Sequence, residues 1–115
     1  MDSVFWQDRM KNLAAILLMA IGGACSAQST SGNELHRWFG FHSAVMAESF
    51  VNGALDMESV LGDPNAPFYC APAGATKSQA FDIVKMHLAN KPEERHKNAS
   101  LLILLALKNA WPCRK

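Results

Sequence analysis

A chain of 115 residues holds one domain and no more. Half of it is apolar and the formal net charge is only +1, so it carries no electrostatic footprint for nucleic acid, and no such partner is expected. No internal repeat and no low-complexity tract divides it.

The first segment reads as a leader. Met10-Lys11-Asn12 precedes twelve apolar or small residues, Leu13 to Ala24. That run is too short for a bilayer, which needs about 20 residues, but suits the core of a signal peptide behind a positive charge. Ala24-Cys25-Ser26-Ala27 follows, so residues 1–27 are read as a signal peptide cut after Ala27. Residues 1–9 hold two acids and a Trp, and Met10-Lys11 makes the better signal start. The expected location is the periplasm, with residues 28–115 as a single helical domain. A second reading takes Cys25 as a lipidated cysteine, which would tether the same domain to a membrane. Gly22 stands where that motif wants a large aliphatic residue.

Gln28 to Asn33 is polar and reads as a frayed start. From Glu34 to Ser59 apolar residues recur three and four apart: Leu35, Trp38, Phe39, then Val45, Met46, Phe50, Val51, Ala54 and Leu55. This predicts a helix, with Gly40 and Gly53 as a break, a kink or a close helix contact. Two helices parting near Gly40 are the alternative to one. The aromatics Trp38, Phe39, Phe41 and Phe50 are assigned to the core, where their area is needed.

Leu61 to Ala75 holds three prolines and two glycines, which excludes helix and interior strand. Gly62-Asp63-Pro64-Asn65 is a turn signal. Thr76-Lys77-Ser78-Gln79 is a capping box, opening a helix to about Asn90 with Phe81, Val84 and Leu88 on its apolar face. Lys77, Lys85 and Lys91 point outward. Pro92 ends that helix, and Pro92-Glu93-Glu94 reads as a first helical turn with acids at its positive end. Arg95-His96-Lys97 forms a basic corner. Asn98 caps a last helix, in which Leu101 to Leu107 is apolar on every side and therefore expected to be buried. Pro112 stops it before Cys113.

Cys70 stands just before the first of these two helices and Cys113 just after the second. Antiparallel helices of matched length would bring both cysteines to one end, and a Cys70–Cys113 disulfide would clip the αα-hairpin there. Removing the leader removes Cys25 and leaves just this pair, as an oxidising compartment favours. Closing a loop of about 43 residues stabilises by ~4 kcal/mol in the chain-entropy model. The competing readings are two free thiols or a nucleophilic cysteine. The fold class expected is all-α, a small helical bundle with a disulfide-clipped αα-hairpin.

No catalytic set stands out. His36, His42, His87 and His96 lack metal-ligand spacing, no phosphate-cradling glycine loop occurs, and the acids are scattered. No metal or cofactor is expected, and the chain is read as a binding protein rather than an enzyme.

Phe68-Tyr69-Cys70-Ala71-Pro72, then Gly74, Thr76 and Gln79, then Ile83-Val84 and Leu88, resemble the Tai/Rap immunity family. So do Pro92-Glu93, Ala99, Ala106-Leu107 and Ala110-Trp111-Pro112-Cys113. The resemblance covers about 46 residues in order; the first helix fits only through the Gly53-to-Asp56 region. It implies a periplasmic, all-helical protein with one disulfide, often a homodimer. The implied partner is a type VI secretion effector, a cysteine amidase that cuts the peptide stem of peptidoglycan, inhibited by occlusion of its active-site groove. The shared residues look structural and do not locate the toxin contact. The loop Gly62 to Phe68, with Gly62, Asp63, Pro64 and Asn65 at its turn, is the first candidate. The polar corner Lys91 to Lys97, with Glu93, Glu94 and Arg95, is the second. A periplasmic acid-stress chaperone is the alternative function, since such proteins are also small, helical and singly clipped.

Overall fold

The computed structural model describes residues 29–41 and 44–114. The leader, residues 1–27, and its Cys25 lie outside the described residues. Four α-helices follow in order: α1 Gly32–Phe39, α2 Val45–Leu61, α3 Lys77–Asn90 and α4 Ala99–Ala110, with a 3-10 turn Pro92–Glu94 between the last two. Among the described residues there is no strand, only a single bridge between Ser31 and Asn98. The expected all-α fold is the one observed.

The start of α1 is not frayed. Ser31 and Glu34 form a reciprocal capping box: Glu34 N donates to Ser31 Oγ at 3.3 Å and Ser31 N donates to Glu34 Oε2 at 2.9 Å. The segment is pinned to the far corner as well. Gly32 N donates to Lys97 O, Asn33 N to Arg95 O, and Ala99 N to Thr30 O, all within 2.9 Å. Gly32 is buried where a Cβ would run into the Leu102 side chain and stand 2.9 Å from Arg95 O.

The pattern from Glu34 to Ser59 resolves into two helices, parting at Gly40. Gly53 breaks nothing and contacts no neighbour: a Cβ there would meet no atom within 4 Å. The change of axis at Gly40 rotates the apolar stripe. Phe39 stays buried, but Phe41, Val45 and Met46 face out, contrary to the core assignment of Phe41. Only Ala47 and Val51 of α2 are buried, with Phe50, Ala54 and Leu55 packed partly against the core. Trp38 and Phe50 meet edge to face at 5.9 Å.

α3 begins at the expected capping box, Gln79 N donating to Thr76 Oγ1 at 3.2 Å and Thr76 N to Gln79 Oε1 at 2.9 Å. Ala80, Val84 and Leu88 form its buried face; Phe81 sits half-buried beside them. α4 opens with Leu101 N donating to Asn98 Oδ1 at 3.2 Å and buries Leu102, Ile103, Ala106 and Leu107. It is not buried all round: Leu101 is 43% exposed, and Leu104 and Leu105 are half-buried. Three short helices cannot surround a fourth, so even the most apolar one keeps an outward side.

α3 and α4 are antiparallel neighbours, about 21 and 18 Å long at 1.5 Å per residue. Cys70 and Cys113 meet at the open end of this hairpin, bonded as a disulfide with Cα atoms 4.9 Å apart. At the other end Arg95 holds the corner. Its Nε donates to Leu88 O at 2.6 Å and its Nη2 to Ala89 O at 3.3 Å, satisfying carbonyls that the end of α3 leaves open.

Candidate functional site

The second candidate, the corner, is occupied with holding the fold. Arg95 caps α3. Glu94 stands between His87, 3.3 Å from its Nε2, and Lys97, 3.7 Å from its Nζ. Pro92–Glu94 forms a short 3-10 turn of its own, with the proline at its start and the acids in its first turn as expected. Glu93 alone of the three candidate residues faces solvent fully.

The loop is different. Residues 61–68 are all exposed, yet the backbone is ordered by its own short-range bonds. Asn65 N donates to Asp63 Oδ1 at 2.9 Å and Ala66 N to Asp63 O at 3.0 Å, an Asx turn closed one residue later than the sequence places it. Gly62 closes the end of α2 by donating to Glu58 O at 2.7 Å. A Cβ on Gly62 would lie 2.6 Å from the same oxygen, so this position accepts no side chain without movement.

The return strand of the loop is tied to α4. Cys70 N donates to Trp111 O at 2.8 Å next to the disulfide. The Tyr69 and Trp111 rings pack in a tilted arrangement with centroids 6.3 Å apart. Burial, and then the Glu58 carboxylate, push the Tyr69 phenol above its ordinary value, so it stays a neutral hydroxyl at physiological pH. Pro67 O lies 3.7 Å from Cys113 Sγ, a packing contact, since a bonded sulfur carries no proton. Lys108 Nζ sits 5.7 Å from the Phe68 ring centroid. The structure thus brings Phe68, Tyr69, Lys108, Trp111 and the disulfide together under the loop. Sequence reasoning had Phe68 and Trp111 as motif residues but gave no role to Lys108, which no spacing links to Phe68.

A cleft of about 370 Å3 on one flank of the loop is lined by Glu58, Asp63 and Pro64 among others. On the other flank a cleft of about 610 Å3 is lined by Phe68, Pro112, Lys108 and Arg114. Acids stand on one side and cations on the other. Separately, Phe50, Met57, Leu61 and Leu104 line an apolar groove of about 690 Å3 between α2 and α4. Among the described residues no group of His, Cys, Asp and Glu could hold a metal ion. No described helix is long and apolar enough to cross a membrane.

The family model of the Rap1a immunity proteins matches residues 23–113 of this chain. The chain belongs to that family. Comparison with curated proteins and with solved structures returned no match. Membership makes it an immunity protein, one that acts by binding a toxin, and it speaks for binding rather than turnover.

Proposed function

We propose that this immunity protein acts in the periplasm and neutralises a peptidoglycan amidase delivered by type VI secretion, the loop Gly62–Phe68 filling the toxin's active-site groove. The observation that supports the loop is its combination of exposure along its whole length with fixed geometry. A segment ordered before binding loses little conformational entropy on docking. The corner Glu93–Arg95 is the weaker choice, because Glu94 and Arg95 are spent on contacts within the chain.

Export through residues 1–27 supplies the oxidising compartment that a Cys70–Cys113 bond needs. A homodimer belongs to the same reading. On α2, Met46, Phe50, Gly53, Met57 and Leu61 share one side at spacings of four, three, four and four. Met46, Met57 and Leu61 are more than half exposed. This apolar stripe runs along the α2–α4 groove and would be covered by a second copy.

The test is titration of the oxidised protein into candidate type VI cysteine amidases, following complex formation and stem-peptide cleavage together. Tight binding with loss of cleavage for one amidase is expected. Alanine at Asp63, Pro64 and Asn65 should then weaken inhibition; Gly62 is left alone because its side chain would clash with Glu58. Unchanged inhibition by the triple variant would move the contact off the loop. Binding to no amidase, together with aggregation-preventing activity at low pH, would favour the chaperone reading.

A further inference from the structure

The cationic flank of the loop carries more than the occluding tip requires. Its cleft of about 610 Å3 has an apolar floor of Pro67, Phe68, Pro112 and the disulfide, with Lys108 and Arg114 on its wall and Asn65 as its neutral polar group. No acid lines it. Among the described residues the contacts between acidic and basic side chains are those of Glu94 with His87 and Lys97, and no described carboxylate lies within 4 Å of Lys108 or Arg114. Phe68 keeps 45% of its surface exposed, facing outward under the Lys108 ammonium.

We propose that this cleft is a recognition site for a peptide segment of the toxin in which a carboxylate stands next to a bulky apolar side chain. The chemistry follows from the lining. An apolar side chain laid on Phe68 and the prolines removes from water a floor that the fold leaves wet. A neighbouring carboxylate meets the Lys108 ammonium, already held in place by the ring, and the Arg114 fork, which takes carboxylates two oxygens at a time. A neutral segment leaves both cations unpaired, and a basic one is repelled. Two prolines and a disulfide fix the floor, so the site is formed before the ligand arrives.

The assignment rests on the immunity reading only for who supplies the segment, and its test is separable from that reading. The isotope-labelled, oxidised full chain is titrated with a capped pentapeptide, Gly-Asp-Leu-Glu-Gly, and with its Asn/Gln twin, while backbone amide shifts are followed. Saturating shifts confined to residues 65–70 and 108–114 are expected for the acidic peptide. Lys108→Glu and Arg114→Glu should each weaken binding by at least roughly fivefold, the scale of one exposed ion pair, and the amide twin, which lacks both carboxylates, should weaken it by more. Lys91→Glu, at the opposite end of the hairpin, should change nothing, and added salt should weaken only the acidic peptide. Absence of saturable shifts at the cleft, or equal binding of the amide twin, overturns the proposal. Inhibition of an amidase by the wild type without peptide binding retires the cleft alone. Peptide binding with no amidase bound keeps the cleft and retires the amidase pairing.

Discussion

His36 lies on α1 beside a shallow pocket lined by Phe39, Gly40, Lys85 and Ala89, with Arg95 acting on it from the corner. Its Nδ1 is buried without a hydrogen-bond partner. Burial, and then the Arg95 guanidinium, hold the imidazole below its ordinary 6.5. The unfolded chain therefore takes up this proton first. The contribution of His36 to stability is full above pH 6.5 and is lost as the pH falls below that value toward the lowered folded one. The thermal midpoint of the wild type should fall more steeply across this window than that of His36→Gln; parallel curves would place the acid sensitivity elsewhere. Gly32 is the other residue on which much depends. Ala would gain a little helix propensity but force its methyl into Leu102 and against Arg95 O. Urea unfolding should show Gly32→Ala destabilised by about 1–3 kcal/mol, the usual result of overpacking.

Among the elements, the α3–α4 hairpin is closed at both ends by different chemistry. Arg95 holds the connection through α3 carbonyls, while the Cys70–Cys113 bond holds the termini. The bond spans 43 residues. Its replacement by two serines should cost ~4 kcal/mol on the chain-entropy estimate. Because Cys70 N also bonds to Trp111 O, amide exchange at residues 69–70 should rise more than at Val84 or Ile103. Equal rises throughout would mean that the clip stabilises the chain globally without fixing the loop. The 3-10 turn at Pro92–Glu94 belongs to the corner rather than to α4, because Asn98, not Lys91, caps the last helix.

At the scale of the molecule, the four helices bury twelve apolar side chains in one cluster and leave a wide apolar side on α2. That asymmetry is what the proposed homodimer explains. Met57→Lys with Leu61→Lys places charges on residues 59% and 74% exposed, so the fold of each copy should survive. Sedimentation should then show the wild type as a dimer and the double variant as a monomer with unchanged helix content. A monomeric wild type would remove the dimer and leave the groove for another partner.

Elements whose signals are local were legible from the residues. Thr76 and Gln79 announced α3, Asn98 announced α4, and Pro92 marked the boundary between them, because caps and prolines act within one turn of chain. The Ser31–Glu34 box is an equally local signal, hidden in a polar stretch that by composition alone resembles a frayed end. The disulfide followed from matched helix lengths. The exposure of Phe41, Met46 and Leu101 could not be read from periodicity, since which side of a helix faces water depends on how many neighbours it has. The loop's sequence gave its place and its turn. Only tertiary packing decided that Lys108, 40 residues from Phe68, would stand over its ring and that cations would gather on one flank of the loop. Juxtapositions of that kind are made by helices closing on one another, and the composition of neither partner records them.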